Sequence, residues 1–437
     1  MNIPKRIART LISSLKGGVV PRIGLPYITV GRKSEIEALL HDVDVIGDGG
    51  ASFRFVVGRY GSGKSFLIQT IRNYVMEKNF VVMDADLSPE RRLQGTKGQG
   101  LATYRELVRN TSTKTRPEGG ALSLILDRWI SSVQQQVMDQ NGLTFQSPEL
   151  PRLVEQAIGQ VIGRVSEMVH GYDFARLLTL YYQACKNGDE AGKAKVAKWF
   201  RGEYHTKTEA KQELGVNIII SDEDWYEYLK LFAFFLKQAG YAGLLICIDE
   251  LVNIYKIPNA ITRQYNYEKI LTMFNDTLQG KAHYLGIIMG GTPQCMEDPR
   301  RGVYSYEALK SRLSEGHFGG EYKDLLAPVI RLQPLTNEEM LVLIEKLSQI
   351  HGALYGYEPY VTQQDLVDFI TIEFGRIGAN THITPREVIR DFIEVLDIIY
   401  QHPDVKVAQL LHSDQFQYAQ NEVEGEKTDK EYAEFTV

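Results

Sequence analysis

Short apolar runs and amphipathic helical stretches alternate along the first ninety residues. Residues 53–57 (FRFVV) and 80–87 (FVVMDADL) are each apolar over the length of a buried strand. Between them, GRYGSGKS has the composition of a loop, and FLIQTIRNYVMEK has the spacing of a helix. A strand, a helix and a second strand in this order form a βαβ unit, which predicts a parallel sheet and an α/β fold.

The next apolar strand is LLICID, residues 244–249. The chain before it is helical in pattern, with one apolar face formed by Leu122, Ile125, Leu126, Trp129 and Val133, and another by Trp225, Leu229, Phe232 and Leu236. This stretch is too long for an ordinary crossover. We therefore expect a helical insertion over about residues 95–240. It could be structural padding, or it could carry partner contacts.

After residue 249 the pattern predicts a helix over 270–278, a strand over 284–290, a helix over 306–312 and a short strand over 329–332. TNEE at Thr336 and TPRE at Thr384 are capping-box helix starts, so residues 333–415 are expected to form a helical lid. The expected division is a basic N-terminal segment (1–50), an α/β domain (51–332), the lid, and an acidic tail (416–437) with no apolar face, predicted to be disordered.

The 437-residue chain carries a net charge of -6, which argues against a protein that coats nucleic acid non-specifically. A DNA contact would therefore need a local basic patch. The chain offers two groups of cations for one, near the N-terminus and after the second strand: Lys5, Arg6, Arg9, Lys16, Arg22, Arg32 and Lys33, with Arg91 and Arg92. A solvated basic face is an equally good interpretation of these residues.

The three cysteines (Cys185, Cys247 and Cys295) are scattered and form no CxxC pair. This predicts neither a zinc site nor a disulfide framework, and it fits a reducing cytoplasm. The basic N-terminus lacks the apolar core and cleavage site of a signal peptide. No run approaches the roughly 20 apolar residues of a membrane span, so no membrane association is expected.

Residues 58–65, GRYGSGKS, match the phosphate-binding signature GxxxxGK[ST]. Glycines at Gly58, Gly61 and Gly63, with Ser62 between the last two, would let backbone N–H groups turn toward a phosphate at a helix N-terminus. Lys64 would reach the β- and γ-phosphates, and the Ser65 hydroxyl would bind Mg²⁺. The motif follows an apolar strand and opens a helix, as that chemistry requires. ATP and Mg²⁺ are therefore the expected cofactors.

The strand LLICID ends in Asp249 and Glu250. At the carboxyl edge of a parallel sheet, Asp249 could hold Mg²⁺ and Glu250 could polarise a water for attack on the γ-phosphate. The competing interpretation is a strand followed by a helix cap.

Thr292 ends the next strand and could contact the γ-phosphate or the water, although a Gly/Thr/Pro turn is equally consistent with it. Among the arginines that could stabilise a transferring phosphoryl group, the favoured ones are Arg386, at a firmly capped helix start, and Arg312.

A P-loop, an acid-ended strand, a polar-ended strand, a Ser-Arg pair and an arginine opening a late helix, in this order, resemble an AAA+ ATPase. The segment YITVGRKSE, which contains Gly31 and Arg32, resembles the entry segment of the origin-initiator and STAND branches. More specifically, GVVPRIGLPYITVGR, VVGRYGSGKSF, DADLSPERRL, TYRELVRN and ITPREVIRDFIEVL resemble the ATP-binding proteins of the BREX phage-defence systems, over about residues 17–396.

The resemblance implies an AAA+ P-loop NTPase with a parallel sheet, a large helical insertion and a C-terminal helical lid. It makes Glu250 the hydrolytic glutamate, Thr292 the sensor on the fourth strand, and Arg312 and Arg386 the finger and second sensor. It places Gly31 and Arg32 over the adenine. Too little chain follows residue 397 for the winged-helix domain of origin initiators, so DNA binding is not implied by that relationship. Two functions stay open: an ATP-hydrolysing motor or loader acting with other defence proteins on DNA, or a nucleotide-controlled scaffold with slow hydrolysis. ATP-dependent self-assembly is compatible with both.

Overall fold

Five parallel strands form one sheet in the order β2-β3-β4-β1-β5. In chain order they are β1 (Ala51–Val57), β2 (Val81–Asp86), β3 (Leu244–Asp249), β4 (Leu285–Gly291) and β5 (Val329–Arg331). The computed structural model describes residues 2–166, 168, 170–314, 324–375 and 384–413. The predicted α/β fold with a parallel sheet is confirmed. The predicted acidic tail, residues 416–437, lies outside the described residues.

All five predicted strands are present, with ends that differ by at most two residues from those expected. The largest difference is at β1, which begins at Ala51 because the backbone of Ala51 and Ser52 pairs in register with Leu285 and Gly286 of β4. The hydrophobic pattern of the sequence does not predict a strand at these two positions, because backbone pairing with β4, and not side-chain burial, extends the strand there.

The chain divides into two compact units. The larger contains Ser34–Arg59 and Leu67–Arg331, and the smaller contains Met1–Lys33, Tyr60–Phe66 and Leu332–Val437. Two helices have their first residues in the smaller unit and the rest in the larger: α3 (Lys33–Gly47) and α4 (Lys64–Glu77).

Between β2 and β3, the regular elements of the described residues are all helices: α5 (Gln99–Arg109), α6 (Leu122–Asn141), α7 (Leu150–Ser166), α8 (Gly171–Asn187), α9 (Glu190–Phe200), α10 (Lys207–Leu214) and α11 (Trp225–Gln238). The two apolar faces predicted in this stretch are buried, as expected for α6 and α11. Their side chains join the sheet residues in one continuous hydrophobic core. The helical stretch is therefore packed as part of the larger unit rather than as an appendage with a core of its own.

The rest of the larger unit lies around β4 and β5. Its helices are α12 (Val252–Tyr255), α13 (Ala260–Leu278), α14 (Pro293–Glu297), a 3-10 helix (Val303–Ser305) and α15 (Glu307–Leu313). The predicted helix over 270–278 is the C-terminal half of α13. Its polar first half begins at the N-cap Asn259, whose side chain accepts a hydrogen bond from the Thr262 N–H.

The smaller unit is all-helical in the residues described. It contains α1 (Lys5–Lys16), α2 (Leu25–Ile28), α16 (Asn337–Tyr355), α17 (Gln363–Gly375), α18 (Pro385–Gln401) and α19 (Val407–Leu411). The capping boxes predicted at Thr336 and Thr384 are both present, and they open α16 and α18. No helix in the described part of the chain is both long and apolar enough to cross a membrane.

The predicted basic N-terminal segment contains two helices before α3. Residues 5–16 form the amphipathic helix α1, and the following Pro/Gly-punctuated piece contains the short helix α2. Ala8, Leu11, Ile12 and Leu15 are buried on one face of α1, which packs against α16 and α18. The helical spacing of these apolar residues is visible in the sequence, but their partners lie more than 300 positions away.

A chain of polar contacts, buried at His351 and exposed at Lys16, ties α1, α16 and α18 together. His351 on α16 is fully buried, and its Nε2 lies 3.0 Å from Asp397 Oδ1 on α18. Its Nδ1 lies 2.9 Å from the Tyr357 hydroxyl. A carboxylate can only accept, so Nε2–H donates to Asp397 and Nδ1 accepts from Tyr357. Lys16 of α1 completes the chain, since its Nζ is 2.5 Å from Asp397 Oδ2.

Burial lowers the pKa of His351, and the hydrogen bond to Asp397 opposes this effect only in part. A protonated Nδ1 could no longer accept from Tyr357, so the network requires the neutral ring. The unfolded chain takes up this proton at a higher pH than the folded chain does. The contribution of His351 to stability is therefore complete above about pH 6.5 and is lost as the pH falls below it.

We expect the smaller unit to become less stable between pH 7 and pH 5, and His351→Gln to weaken this pH dependence at a cost of about 1–3 kcal/mol at pH 7. All three tryptophans (Trp129, Trp199 and Trp225) lie in the larger unit. During chemical denaturation, tryptophan fluorescence therefore reports the larger unit alone, whereas circular dichroism reports the helices of both units. Following the two signals in parallel separates the units. The matched control is the exposed His402→Gln. An unchanged pH profile in His351→Gln would contradict the assignment.

Candidate functional site

The loop of residues 58–65 joins the end of β1 to the first turn of α4, which begins at Lys64. Gly61 and Gly63 have φ angles of 76° and 94°, in the left-handed region that glycine enters without strain. The loop begins at Gly58, whose N–H donates to the carbonyl of Gly291 at the end of β4 (3.1 Å). This backbone is the kind that can turn successive N–H groups toward an anion at a helix N-terminus.

Three side chains of the smaller unit contact successive residues of this loop. The Arg386 guanidinium lies over the ring of Tyr60, 4.8 Å from its centroid. The side chain of Thr384 fills the space that a Cβ at Gly61 would need. Arg32 is 5% exposed, and its Nη2 donates to the Ser62 carbonyl over 3.1 Å. The shape of the loop is therefore held by residues from both ends of the chain.

Two observations test whether the loop can take a phosphate. The Ser62 hydroxyl is buried and has no hydrogen-bond partner among the described residues. Buried hydroxyls are normally hydrogen-bonded, so the Ser62 hydroxyl has hydrogen-bonding capacity left for a polar ligand. A Cβ added to Gly63 would meet no atom within 4 Å, so space is open beside the loop backbone. The loop fits a phosphate group.

Three acidic residues of the larger unit lie together at the carboxyl ends of β2 and β3. Asp86 and Asp249 are register partners, and Glu250 follows directly, with its N–H donating to Asp249 Oδ1 over 2.8 Å. The pKa of Asp86 is raised, first by partial withdrawal from water and then by the negative charges of Asp249, Glu250 and Asp84. This edge of the sheet therefore favours a cation.

Gly290 of β4 makes room for the Asp249 carboxylate, which a Cβ on Gly290 would strike. Gly290 pairs with Val56 of β1, the strand that leads into the loop. Among the residues described, no cluster of three or more histidine, cysteine, aspartate or glutamate side chains forms a metal cage. Mg²⁺ does not need one, because it is commonly bound by one or two carboxylates together with substrate phosphates and water. The donor set fits this mode.

Glu250 has a φ angle of 60°, one of few such values at non-glycine residues in the described chain. A left-handed backbone at a residue with a side chain costs about 1–2 kcal/mol, and residues of this kind cluster at functional sites. The backbone carbonyl of Glu250 accepts from the N–H of Asn253, whose side chain also donates to the Leu87 carbonyl over 2.8 Å. The conformation is thus held by the loops that follow β2 and β3.

Thr292 directly follows β4 and is the N-cap of α14. Its hydroxyl accepts from the Cys295 N–H over 3.3 Å. Thr292 and Pro293 thus form the start of a helix, and the contact of Thr292 with a phosphate or water stays a prediction. A hydroxyl that accepts can still donate, so this cap is compatible with a second contact.

The remaining expected residues are divided between the units. Arg312 is exposed on α15, and its Nη1 donates to the Ala308 carbonyl of its own helix over 2.7 Å. No hydrogen bond or ion pair among the described residues joins it to Asp249 or Glu250. Gly31 has a φ of 68°, and a Cβ there would strike the Glu339 carboxylate that caps α16. Arg32, expected over an adenine, contacts the loop of residues 58–65 through the Ser62 carbonyl, and its contact with an adenine stays a prediction.

Sequence reasoning missed two residues at the site. Asp86 was visible only as one of the acids in a strand, because its pairing with Asp249 requires the sheet order. Tyr60 occupies a variable position of the motif, and nothing in the sequence indicates that a residue 326 positions later lies on its ring.

Comparison with known families gives one match. The family described as BREX system ATP-binding protein BrxC/D matches residues 3–415 of the chain. Curated proteins give no match.

The strained backbone at Glu250 can be tested without any ligand. We expect Glu250→Gly to be more stable than Glu250→Ala by about 1 kcal/mol, because only glycine tolerates this φ without strain. The exposed helical Glu268 of α13 is the matched control, where the alanine variant should be the more stable by about 1 kcal/mol. Chemical denaturation measures both pairs. The same order at both positions would exclude the left-handed conformation.

Proposed function

This chain belongs to the family of BREX system ATP-binding proteins BrxC/D, and from that premise we propose that it is an Mg²⁺-dependent AAA+ ATPase. We propose further that it acts with other BREX proteins in phage defence. The observation that carries the ATPase proposal is the loop of residues 58–65, with its two left-handed glycines, its orphan Ser62 hydroxyl and its position at the start of α4.

ATP binding is assigned to the loop. The backbone N–H groups of Gly61, Ser62 and Gly63 bind phosphate oxygens, and Lys64 contacts the β- and γ-phosphates. The dipole of α4, which begins at Lys64, favours the same negative charge. Arg32 contributes by holding the Ser62 carbonyl, which keeps that peptide group oriented.

Mg²⁺ binding is assigned to Ser65 and Asp249. Two observations support a cation at this edge: Gly290 makes room for the Asp249 carboxylate, and the pKa of the neighbouring Asp86 is raised. When bound, Mg²⁺ would neutralise part of the charge on the phosphate oxygens.

Hydrolysis is assigned to Glu250, which orients and polarises the attacking water. Its left-handed backbone supports this role, because such strain persists where a side chain must be aimed. Thr292 is proposed to donate a hydrogen bond from its hydroxyl to the γ-phosphate or to the attacking water. Arg386 acts on the nucleotide of its own chain, and Arg312, exposed on α15, acts on that of a neighbouring chain.

DNA is proposed as a partner through helix α1. Lys5, Arg6 and Arg9 are exposed on this helix, which contains no acidic residue. Two other cations of the expected patch have different roles, since Lys16 pairs with Asp397 and Arg32 is buried. The patch is therefore narrower than the sequence indicated. Nucleic-acid binding through it would weaken steeply with added salt.

Binding and hydrolysis should be separable by two substitutions. Lys64→Ala should abolish ATP affinity with the fold intact, because its cation contacts phosphate. Glu250→Gln should still bind ATP and Mg²⁺, with turnover at least about 100-fold slower, because the base is lost. Calorimetry and phosphate release measure these effects, and the exposed Glu268→Gln is the control. ATP binding by Lys64→Ala at wild-type affinity would refute the loop assignment.

Motor and switch functions are distinguished by turnover and assembly. Strong stimulation of ATP hydrolysis by duplex DNA, with ATP-dependent assembly seen as a higher mass, would support the motor. Stimulation should then be lost when Lys5, Arg6 and Arg9 are all changed to alanine. Assembly with negligible turnover, with or without DNA, would support a nucleotide-controlled scaffold.

The same assemblies test Arg312. An Arg312→Ala chain, inactive alone, should regain activity when mixed with a Glu250→Gln chain that supplies the arginine. An Arg386→Ala chain should gain nothing from that mixture. If Arg312→Ala recovers no activity and the protein stays monomeric with ATP, the trans role is excluded.

A further inference from the structure

The ring of Tyr60 and the guanidinium of Arg386 form a contact at the turn of the loop. Tyr60 is 67% exposed and lies at the turn of the loop, so its ring adds little to the core. The Arg386 guanidinium lies over that ring, 4.8 Å from its centroid. An exposed aromatic ring that engages a cation in this way restricts the cation's orientation.

The start of α18 is fixed against the same part of the loop. Thr384, its N-cap, fills the space beside Gly61, and the capping box with Glu387 holds the Thr384 side chain (Oγ1 to Glu387 Oε2, 2.8 Å). Residues 384 and 386 thus meet loop residues 61 and 60. Because Glu387 is committed to the cap, its carboxylate is directed to Thr384. The ring is then the contact that orients the guanidinium.

A cation–π contact holds the guanidinium by its positive charge and uses none of its five N–H groups in a hydrogen bond to an oxygen. The contact therefore leaves these donors available for a phosphate and removes part of the rotational freedom that an arginine loses on binding. Without the ring, the Arg386 side chain would lose this rotational freedom only when ATP binds, and the lost entropy would weaken ATP binding.

We propose that Tyr60 is a positioning residue that pre-orients Arg386 for the γ-phosphate of ATP. This inference rests on the proposed function, in which Arg386 contacts the nucleotide of its own chain. It makes a variable position of the phosphate-binding loop part of the discrimination between ATP and ADP.

The test compares Tyr60→Leu, Tyr60→Phe, Arg386→Ala and the double variant Tyr60→Leu/Arg386→Ala, with ATP and ADP affinities measured by calorimetry on the full chain. Tyr60→Leu should bind ATP about 3- to 30-fold more weakly, the range expected for loss of a cation–π contact. ADP affinity should change by less than about twofold. Tyr60→Phe, which keeps the aromatic face, should bind ATP like the wild type.

The double variant decides whether Tyr60 acts through Arg386. It should bind ATP no more weakly than Arg386→Ala alone, because the ring then has no cation to orient. Equal losses from Tyr60→Leu in both backgrounds, or equal losses for ATP and ADP, would show that the ring only shapes the loop and would overturn the proposal.

Two further outcomes separate this inference from the proposed function. If Arg386→Ala binds ATP like the wild type, the role of Arg386 is wrong, and the inference is overturned with it. If Arg386→Ala weakens ATP binding but Tyr60→Leu does not, the proposed role of Arg386 stands and only the inference fails. Circular dichroism melts of each variant exclude unfolding as the cause of a loss.

Discussion

The parallel direction of all five strands is the constraint on which the larger unit depends. Each connection must return the chain from the carboxyl end of one strand to the amino end of another, and helices do this here. The same constraint gathers every strand's last residue at one edge. Asp86, Asp249, Gly290 and Thr292 become neighbours in the sheet edge although up to 206 positions separate them.

At that edge, the sheet holds an arrangement with two local free-energy costs, one electrostatic and one in the backbone. Asp86 and Asp249 are paired in register. Partial burial and then the negative charges of Asp249 and its neighbours raise the pKa of Asp86. Glu250 adds a strained backbone to the same place. The stability of the large shared core can sustain these local costs, which is how functional sites retain strain. A cation would lower the electrostatic part of the cost, whereas the backbone strain would remain.

The smaller unit contains most of the loop of residues 58–65, which has little regular structure of its own. Gly61 and Gly63 give the backbone freedom, and that freedom must be restricted for a defined shape. The restriction comes from Arg32 near one end of the chain and from Thr384 and Arg386 near the other. Arg386 lies on α18, which shares a core with α1, α16 and α17 and is joined to α1 and α16 by the His351–Asp397–Lys16 chain. The shape of the loop therefore depends on the integrity of that helical core.

The sequence by itself determined the elements whose signals are local. The buried strands, the capped starts of α16 and α18, and the residues of the loop and of the Asp249–Glu250 pair are set by apolar runs, capping chemistry and short motifs, all within a few positions. Tertiary structure decided what depends on distant pairing. The order of the strands, the register of Asp86 with Asp249, the burial of Arg32 and the contact of Arg386 with the Tyr60 ring each join residues far apart in the chain. No local pattern encodes such contacts, because they arise only when the packed cores bring their elements together.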